Sequence, residues 1–164
     1  MRHEEALAAL MAGHRVLMRG GGPIAKAVEQ RLEALDVPVV REQTSATDAI
    51  VTWEPAPVTP EDLGGQIQQL TALLDRGSLR RVLLVAAGDE AVAARVAETL
   101  TIYAAAHLVQ RQTRFNLLRL PVSATPAAVA RASNTMLMLL CGRMDAVHGQ
   151  VLTVTEPDVS QVRA

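Results

Sequence analysis

Apolar residues along the chain alternate between short continuous runs and stripes at helical spacing. Residues 4–12 (EEALAALMA) read as a short helix ended by Gly13. His14–Met18 (HRVLM) reads as a strand stopped by Gly20-Gly21-Gly22. Pro23 suits a first helical turn, and Ile24, Ala27, Val28, Leu32 and Leu35 give 23–35 an apolar face. Val37–Val40 (VPVV) and Ala49–Trp53 (AIVTW) are the next strands. Thr59 caps a helix with Pro60 first and Asp62 third; Leu63, Ile67, Leu70 and Leu74 are its stripe, and Gly77 ends it. Arg81–Ala87 (RVLLVAA) is continuously apolar, as expected for a strand covered on both faces. Residues 89–112 form a long alanine-rich helix, and Phe115–Leu120 a strand. Thr125-Pro126 opens a helix to about Cys141, and Gln150–Val154 closes the set.

Six strands alternating with helices predict a single α/β domain over 1–164: Rossmann-like and doubly wound, with a mainly parallel sheet. One connection is short. Only about seven residues separate VPVV from AIVTW, where a parallel crossover usually takes a dozen or more. Seven extended residues reach roughly 24 Å, enough for a direct parallel return beneath the sheet. An antiparallel turn through TSAT is the alternative.

Composition narrows the function. Of 164 residues, 49% are hydrophobic and 20% charged, with a net charge of −1. That balance excludes a disordered chain and a broad basic footprint for nucleic acid or anionic membrane. The single cysteine, Cys141, rules out an internal disulfide or CxxC site and fits a cytoplasmic protein. No apolar run approaches a membrane span, and the acidic N-terminus does not resemble a secretory signal. The four histidines lack HxH or HxxxH spacing, so no metal site is expected.

Gly20-Gly21-Gly22-Pro23-Ile24-Ala25 satisfies G-x-G-x-x-[G/A] between a strand and a helix, the context of a dinucleotide fingerprint. Gly20 permits the turn, Gly22 lets a pyrophosphate approach, and Ala25 lets helix and strand pack. Arg41 and Glu42 follow about 20 residues later, where a ribose contact sits; arginine suits a 2′-phosphate and glutamate a 2′-hydroxyl. Three glycines making only a tight turn is the competing reading.

The chain resembles the short-chain dehydrogenase/reductase family over most of residues 14–157. VLMRGGGPIAKAVEQRL is similar to the family's opening strand, glycine loop and helix, and LRRVLLVAAG to the strand carrying its catalytic serine. TLTIYAAAHL with RFNLLRLP resembles the long helix and following R-V-N-x-V-x-P-G strand, and HGQVLTVTEP the closing T-G-Q-x-L-x-V-D-G-G. The resemblance implies a Rossmann fold, NAD(P) and oligomers built on a four-helix bundle. Family members are longer, which implies truncation around the usual third strand.

The departures fall on function. Arg19 stands at the family's threonine, and Trp53-Glu54-Pro55-Ala56 replaces N-N-A-G. The serine position falls near Ala86 or Ala87, and the Y-x-x-x-K pair near Glu90 and Ala94. Thr155-Glu156-Pro157 replaces the closing D-G-G, and P-G is shifted to Leu120-Pro121. With one tyrosine (Tyr103) and one lysine (Lys26), in the wrong order, Y-x-x-x-K does not occur anywhere. The pair needs i,i+4 spacing so that the ammonium lowers the tyrosine pKa.

Remaining candidates are few. Tyr103 and His107 share a helix face, either as an echo of the missing pair or as an interface pair. Asp89 and Glu90 open the long helix, as capping carboxylates or as acid/base groups; Glu54 is a further acid/base candidate. Lys26 reads as solvated, His14 as a strand opener, His148 as a loop residue. Met136 and Met138 read as core or interface filler, and Cys141 as buried. In the long helix, Ile102, Ala106 and Val109 widen the apolar surface beyond the stripe of Ala91, Val92, Val96, Leu100, Ala104 and Leu108. This predicts a homodimer or homotetramer through helices 60–76 and 89–112, broken by a charge at Leu100 or Ala104.

The leading expectation is a redox-inactive Rossmann protein, a structural or regulatory subunit that pairs with itself or with an intact reductase. It would bind NAD(P) weakly or not at all, and no metal, membrane or nucleic acid. Two alternatives stay open: a scaffold repurposed as a non-redox cyclase, isomerase or lyase, and a residual NAD(P)-binding oxidoreductase.

Overall fold

The computed structural model describes residues 3–54, 57, 59–75, 78–88, 91–108, 111–121 and 125–154, without the side chains of 91–93. The elements in order are α1 (His3–Met11), β1 (Val16–Arg19), α2 (Pro23–Ala34) and β2 (Val39–Val40), then a 3-10 turn (Gln43–Ser45) and β3 (Asp48–Trp53). They continue as α3 (Pro60–Asp75), β4 (Arg81–Ala87), α4 (Ala91–Leu108), β5 (Arg114–Leu120), α5 (Pro126–Leu140) and β6 (Val151–Thr153).

The six strands form one all-parallel sheet in the order β2-β1-β3-β4-β5-β6. Its longest strands, β4 and β5, are in register over all seven residues, from Arg81 opposite Arg114 to Ala87 opposite Leu120. Alternate side chains feed two cores. Leu83, Val85 and Ala87 pack with Leu7, Met11, Val28, Leu32, Met136 and Leu140 of α1, α2 and α5. Val82, Leu84 and Ala86 pack with Leu70, Leu73, Ala97, Ala104 and Leu108 of α3 and α4. This is the doubly wound Rossmann-like architecture the alternation predicts.

The seven residues Arg41–Thr47 carry the chain from β2 past β1 to β3 through the 3-10 turn alone, and β3 lies parallel to β1. The direct return is therefore the observed one. In the usual order 3-2-1-4-5-6 a further strand lies outside the second; here β2 is the sheet edge.

Several boundaries move for identifiable reasons. β2 is two residues rather than Val37–Val40, because Val37 completes the end of α2. Asp36 turns left-handed (φ 56), its N–H bonds Glu33 O (3.0 Å), and the Val37 N–H bonds Leu32 O (2.9 Å), a Schellman closure. The long helix does not reach residue 112: α4 ends at Leu108, and Gln112 is left-handed at φ 59. Thr59 and Thr125 cap α3 and α5 as the sequence predicts, accepting from the Asp62 N–H (3.1 Å) and the Ala128 N–H (3.2 Å). The expected stop at Gly77 lies outside the described residues.

His148 is more than a loop residue. Its Nδ1 accepts from the Phe115 N–H (3.0 Å), and its Nε2–H donates to Ala105 O (2.8 Å), pinning the approach to β6 between β5 and α4. His14, expected to open a strand, precedes β1 and bonds the wholly buried Asp48 (2.7 Å). Asp48 also accepts from Thr47 Oγ1 (2.7 Å) and Arg81 Nη1 (3.4 Å). Arg81 in turn holds Asp145 in a two-point contact (2.7 and 2.9 Å), tying β3, β4 and the segment after α5 at the N-terminal edge of the sheet.

The Arg81 guanidinium holds the Asp145 carboxyl below the ordinary carboxylate range. A depressed folded-state pKa stabilises the fold above the unfolded value and is lost as pH falls through the acid range. Asp145 is half exposed, so the contribution is about 0–1 kcal/mol. Urea unfolding is expected to show Asp145→Asn less stable than the parent at pH 7, with the gap closing below about pH 4. A gap that persists undiminished in acid would contradict this assignment.

Candidate functional site: the glycine turn between β1 and α2

β1 ends at Arg19 and turns into α2 at the C-terminal edge of the sheet, where open α/β folds place ligands. Gly20 (φ 94) and Gly22 (φ 101) both adopt conformations that L side chains avoid. A Cβ on Gly20 would collide with the Thr52 carbonyl and hydroxyl, whereas one on Gly21 would meet nothing within 4 Å. Gly20 is thus needed so that the turn can lie against β3. Thr52 Oγ1 stands 3.3 Å from both Arg19 O and Gly21 O, holding the turn in place. Ala25 is buried against the core, as the small-residue position requires.

α2 begins without a cap of its own. Its N-cap is Gly22, Pro23 has no N–H, and no acidic residue stands in the first turn. The first free N–H groups of a helix need an acceptor and attract an anion. Here Glu54, the residue after β3, supplies both: the Ile24 N–H donates to its Oε2 at 2.9 Å. The same oxygen lies 2.6 Å from where a Gly22 Cβ would stand. In a dinucleotide site the second glycine lets a pyrophosphate approach the helix. At this turn the protein's own carboxylate makes that approach. A pyrophosphate on the same N–H would face a second anion, and like charges about 4 Å apart repel by about 4 kcal/mol at an effective dielectric of 20. In this arrangement the turn does not fit a pyrophosphate.

The other sequence candidates do not gather here. Arg41 follows the edge strand, exposed, with Nη1 3.2 Å from Glu29 of α2 and its carbonyl accepting from Arg19 Nη1 (2.9 Å). Lys26 is exposed on α2. Asp89 and Glu90 lie outside the described residues, as do Pro55, Ala56 and Thr155-Glu156-Pro157. Tyr103 and His107 share a face of α4 with ring centroids 4.2 Å apart. α4 runs from the C-terminal end of β4 back to the start of β5, so the pair sits near the opposite edge from the glycines. Among the described residues, no three His, Cys, Asp or Glu side chains group to hold a metal, and no helix is long and apolar enough to cross a membrane.

Of the residues expected to widen the apolar surface of α4, Ile102 and Ala106 are exposed, and Val109 lies outside the described residues. Ile102 is 66% exposed and Tyr103 63% exposed, beside a hollow of about 340 Å³ between α3 and α4 that Leu70, Leu74, Leu100 and Leu108 help to line. Ala104, expected at this interface, is instead buried in the core, because its side chain faces the sheet. Met136 and Cys141 are buried, while Met138 is partly exposed. Trp53, immediately before Glu54, is 1% exposed, and its indole N–H has no partner among the described residues.

No protein-family model matches the chain, and no curated protein matches it by sequence. Solved structures do match in fold. BdcA (YjgI) from E. coli superposes with a TM-score of 0.65 at 11% identity, over 88% of this chain and 100% of that one. A short chain dehydrogenase from Leptospira borgpetersenii with bound NAD+ gives 0.60 at 12% identity, over 86% and 91%. The enoyl-[acyl-carrier-protein] reductase (NADH) from Aquifex aeolicus gives 0.57 at 13% identity, over 88% and 96%. The chain therefore shares its fold with these proteins, at identities that establish the fold alone.

Two neighbouring glycines give a sharp contrast. Gly20→Ala combines a forbidden φ with a backbone collision and is expected to cost about 1–3 kcal/mol. Gly21→Ala meets open space and should stay within about 0.5 kcal/mol of the parent. Denaturant midpoints of the two variants check this; equal losses would mean that the turn is not packed against Thr52.

Proposed function

We propose that this protein is a redox-inactive relative of the short-chain dehydrogenases, acting as a structural or regulatory subunit rather than as an oxidoreductase. The observation that carries this reading is the Glu54 carboxylate at the N-terminus of α2, against Gly22. It gives the helix the anion that a bound dinucleotide would otherwise give. Two further features support it. The sequence contains no Y-x-x-x-K, and β2 passes to β3 through a 3-10 turn alone, leaving β2 at the sheet edge where the usual order has a further strand.

A subunit of this kind acts through its surface. Ile102 and Tyr103 of α4, proud of a hollow between α3 and α4 that four leucines help to line, are suited to isologous pairing, each projection entering the partner's hollow. The partner is a second copy of the chain or an intact reductase presenting the same helix pair.

Calorimetric titration with NADH and NADPH tests the cofactor part. The unmodified protein is expected to show no binding at millimolar cofactor, and Glu54→Ala is expected to acquire it. Saturable binding to the unmodified protein would overturn the reading. Light scattering tests the assembly part: Ile102→Glu with Tyr103→Glu should convert an oligomer to folded monomers, and a monomeric parent would contradict it. Ala104 is unsuitable for this test because a charge there would enter the core.

A further inference from the structure

The N-terminal edge of the sheet, opposite the glycine turn, carries an unusual concentration of arginine. Arg80 precedes and Arg81 opens β4, and Arg111 precedes and Arg114 opens β5. With Ser78 and Asp145 they line an open hollow of about 520 Å³. Arg81 is committed: it holds both oxygens of Asp145 and reaches Asp48. Among the described residues lining the hollow, Asp145 is the one carboxylate, and Arg81 bonds both its oxygens.

The other three guanidiniums retain free donors. Arg114 uses Nε on the Asp145 carbonyl (2.8 Å). Arg111 uses Nη1 on the carbonyls of Leu74 (3.1 Å) and Asp75 (3.3 Å), at the end of α3. Both are thereby oriented by backbone groups, with their remaining N–H groups unspent. The Arg80 side chain has no hydrogen bond or ion pair among the described residues, while its N–H bonds Thr47 O (2.8 Å) and fixes the start of its side chain. Like charges brought together from separate segments repel unless an anion joins them.

We propose that this hollow binds an oligophosphate: a chain of two or three phosphate groups, free or at the end of a nucleotide. Guanidinium forks match phosphate oxygens in paired hydrogen bonds, and three of them match the charge of several phosphates rather than one. The chain as a whole carries a net charge of −1, so the basic region is confined and suits a small polyanion, not a nucleic acid. The site does not involve Glu54 or the glycine turn, so it stands independently of the proposed function.

Calorimetry with sodium tripolyphosphate and with ATP, on the full chain at low ionic strength, tests the proposal. One saturable site for tripolyphosphate is expected, weakened at least tenfold by Arg80→Ala and unchanged by Arg95→Ala on α4. Equal affinities for tripolyphosphate and ATP would assign the phosphate chain alone, and tighter ATP binding a nucleotide; either supports the site. A thermal-shift profile confirms that Arg80→Ala is folded. No saturable binding, equal binding of sulfate, or equal loss in the two arginine variants would overturn the proposal.

Discussion

The feature on which the rest depends is the single contact between the Ile24 N–H and the Glu54 carboxylate. A helix that starts with glycine and proline, and carries no acid in its first turn, leaves its positive end unsatisfied. A dinucleotide-binding protein leaves that end for its ligand. Here the strand next to β1 ends one residue before a glutamate, and the sheet register delivers that carboxylate to the helix. The turn and the anion at its helix end are thus supplied by one chain.

The two edges of the sheet differ in the same terms. At the C-terminal edge the helix dipole of α2 is answered internally. At the N-terminal edge, four arginines line a hollow in which Arg81 holds Asp145, and the other three keep donors unspent. The buried Asp48 pairs with His14 and Arg81, which makes that edge a structural anchor as well as a basic surface. Between them α4 exposes Ile102 and Tyr103 beside the hollow it forms with α3. One small sheet therefore presents three regions of distinct chemistry: a helix end answered by a carboxylate, a basic edge, and exposed apolar side chains on α4.

Most of the fold was legible in the sequence because the relevant forces are local. The apolar run of β4, the Thr caps of α3 and α5 and the triple glycine each act within a few residues, and each fell where expected. The extent of β2 was not legible, because Val37 is claimed by the end of α2. The site was half legible. Gly20, Gly22 and Ala25 follow from their motif, but Glu54 was read as an acid/base candidate. Its part as a cap depends on pairing between β1 and β3, 30 residues apart from Ile24 to Glu54. Asp48 and His148 were missed for the same reason, since their partners are tertiary. The bare first turn of α2 was the one available sign that an anion must come from elsewhere.

The central claim is that Glu54 holds the place of a phosphate at α2. The amide resonance of Ile24 in the labelled protein tests it most directly, followed during addition of pyrophosphate. In the unmodified protein this signal should stay unmoved. In Glu54→Ala it should start displaced, and then shift saturably as the anion takes the vacated N–H. A saturable Ile24 shift in the unmodified protein, or an Ile24 signal indifferent to loss of Glu54, would contradict the account.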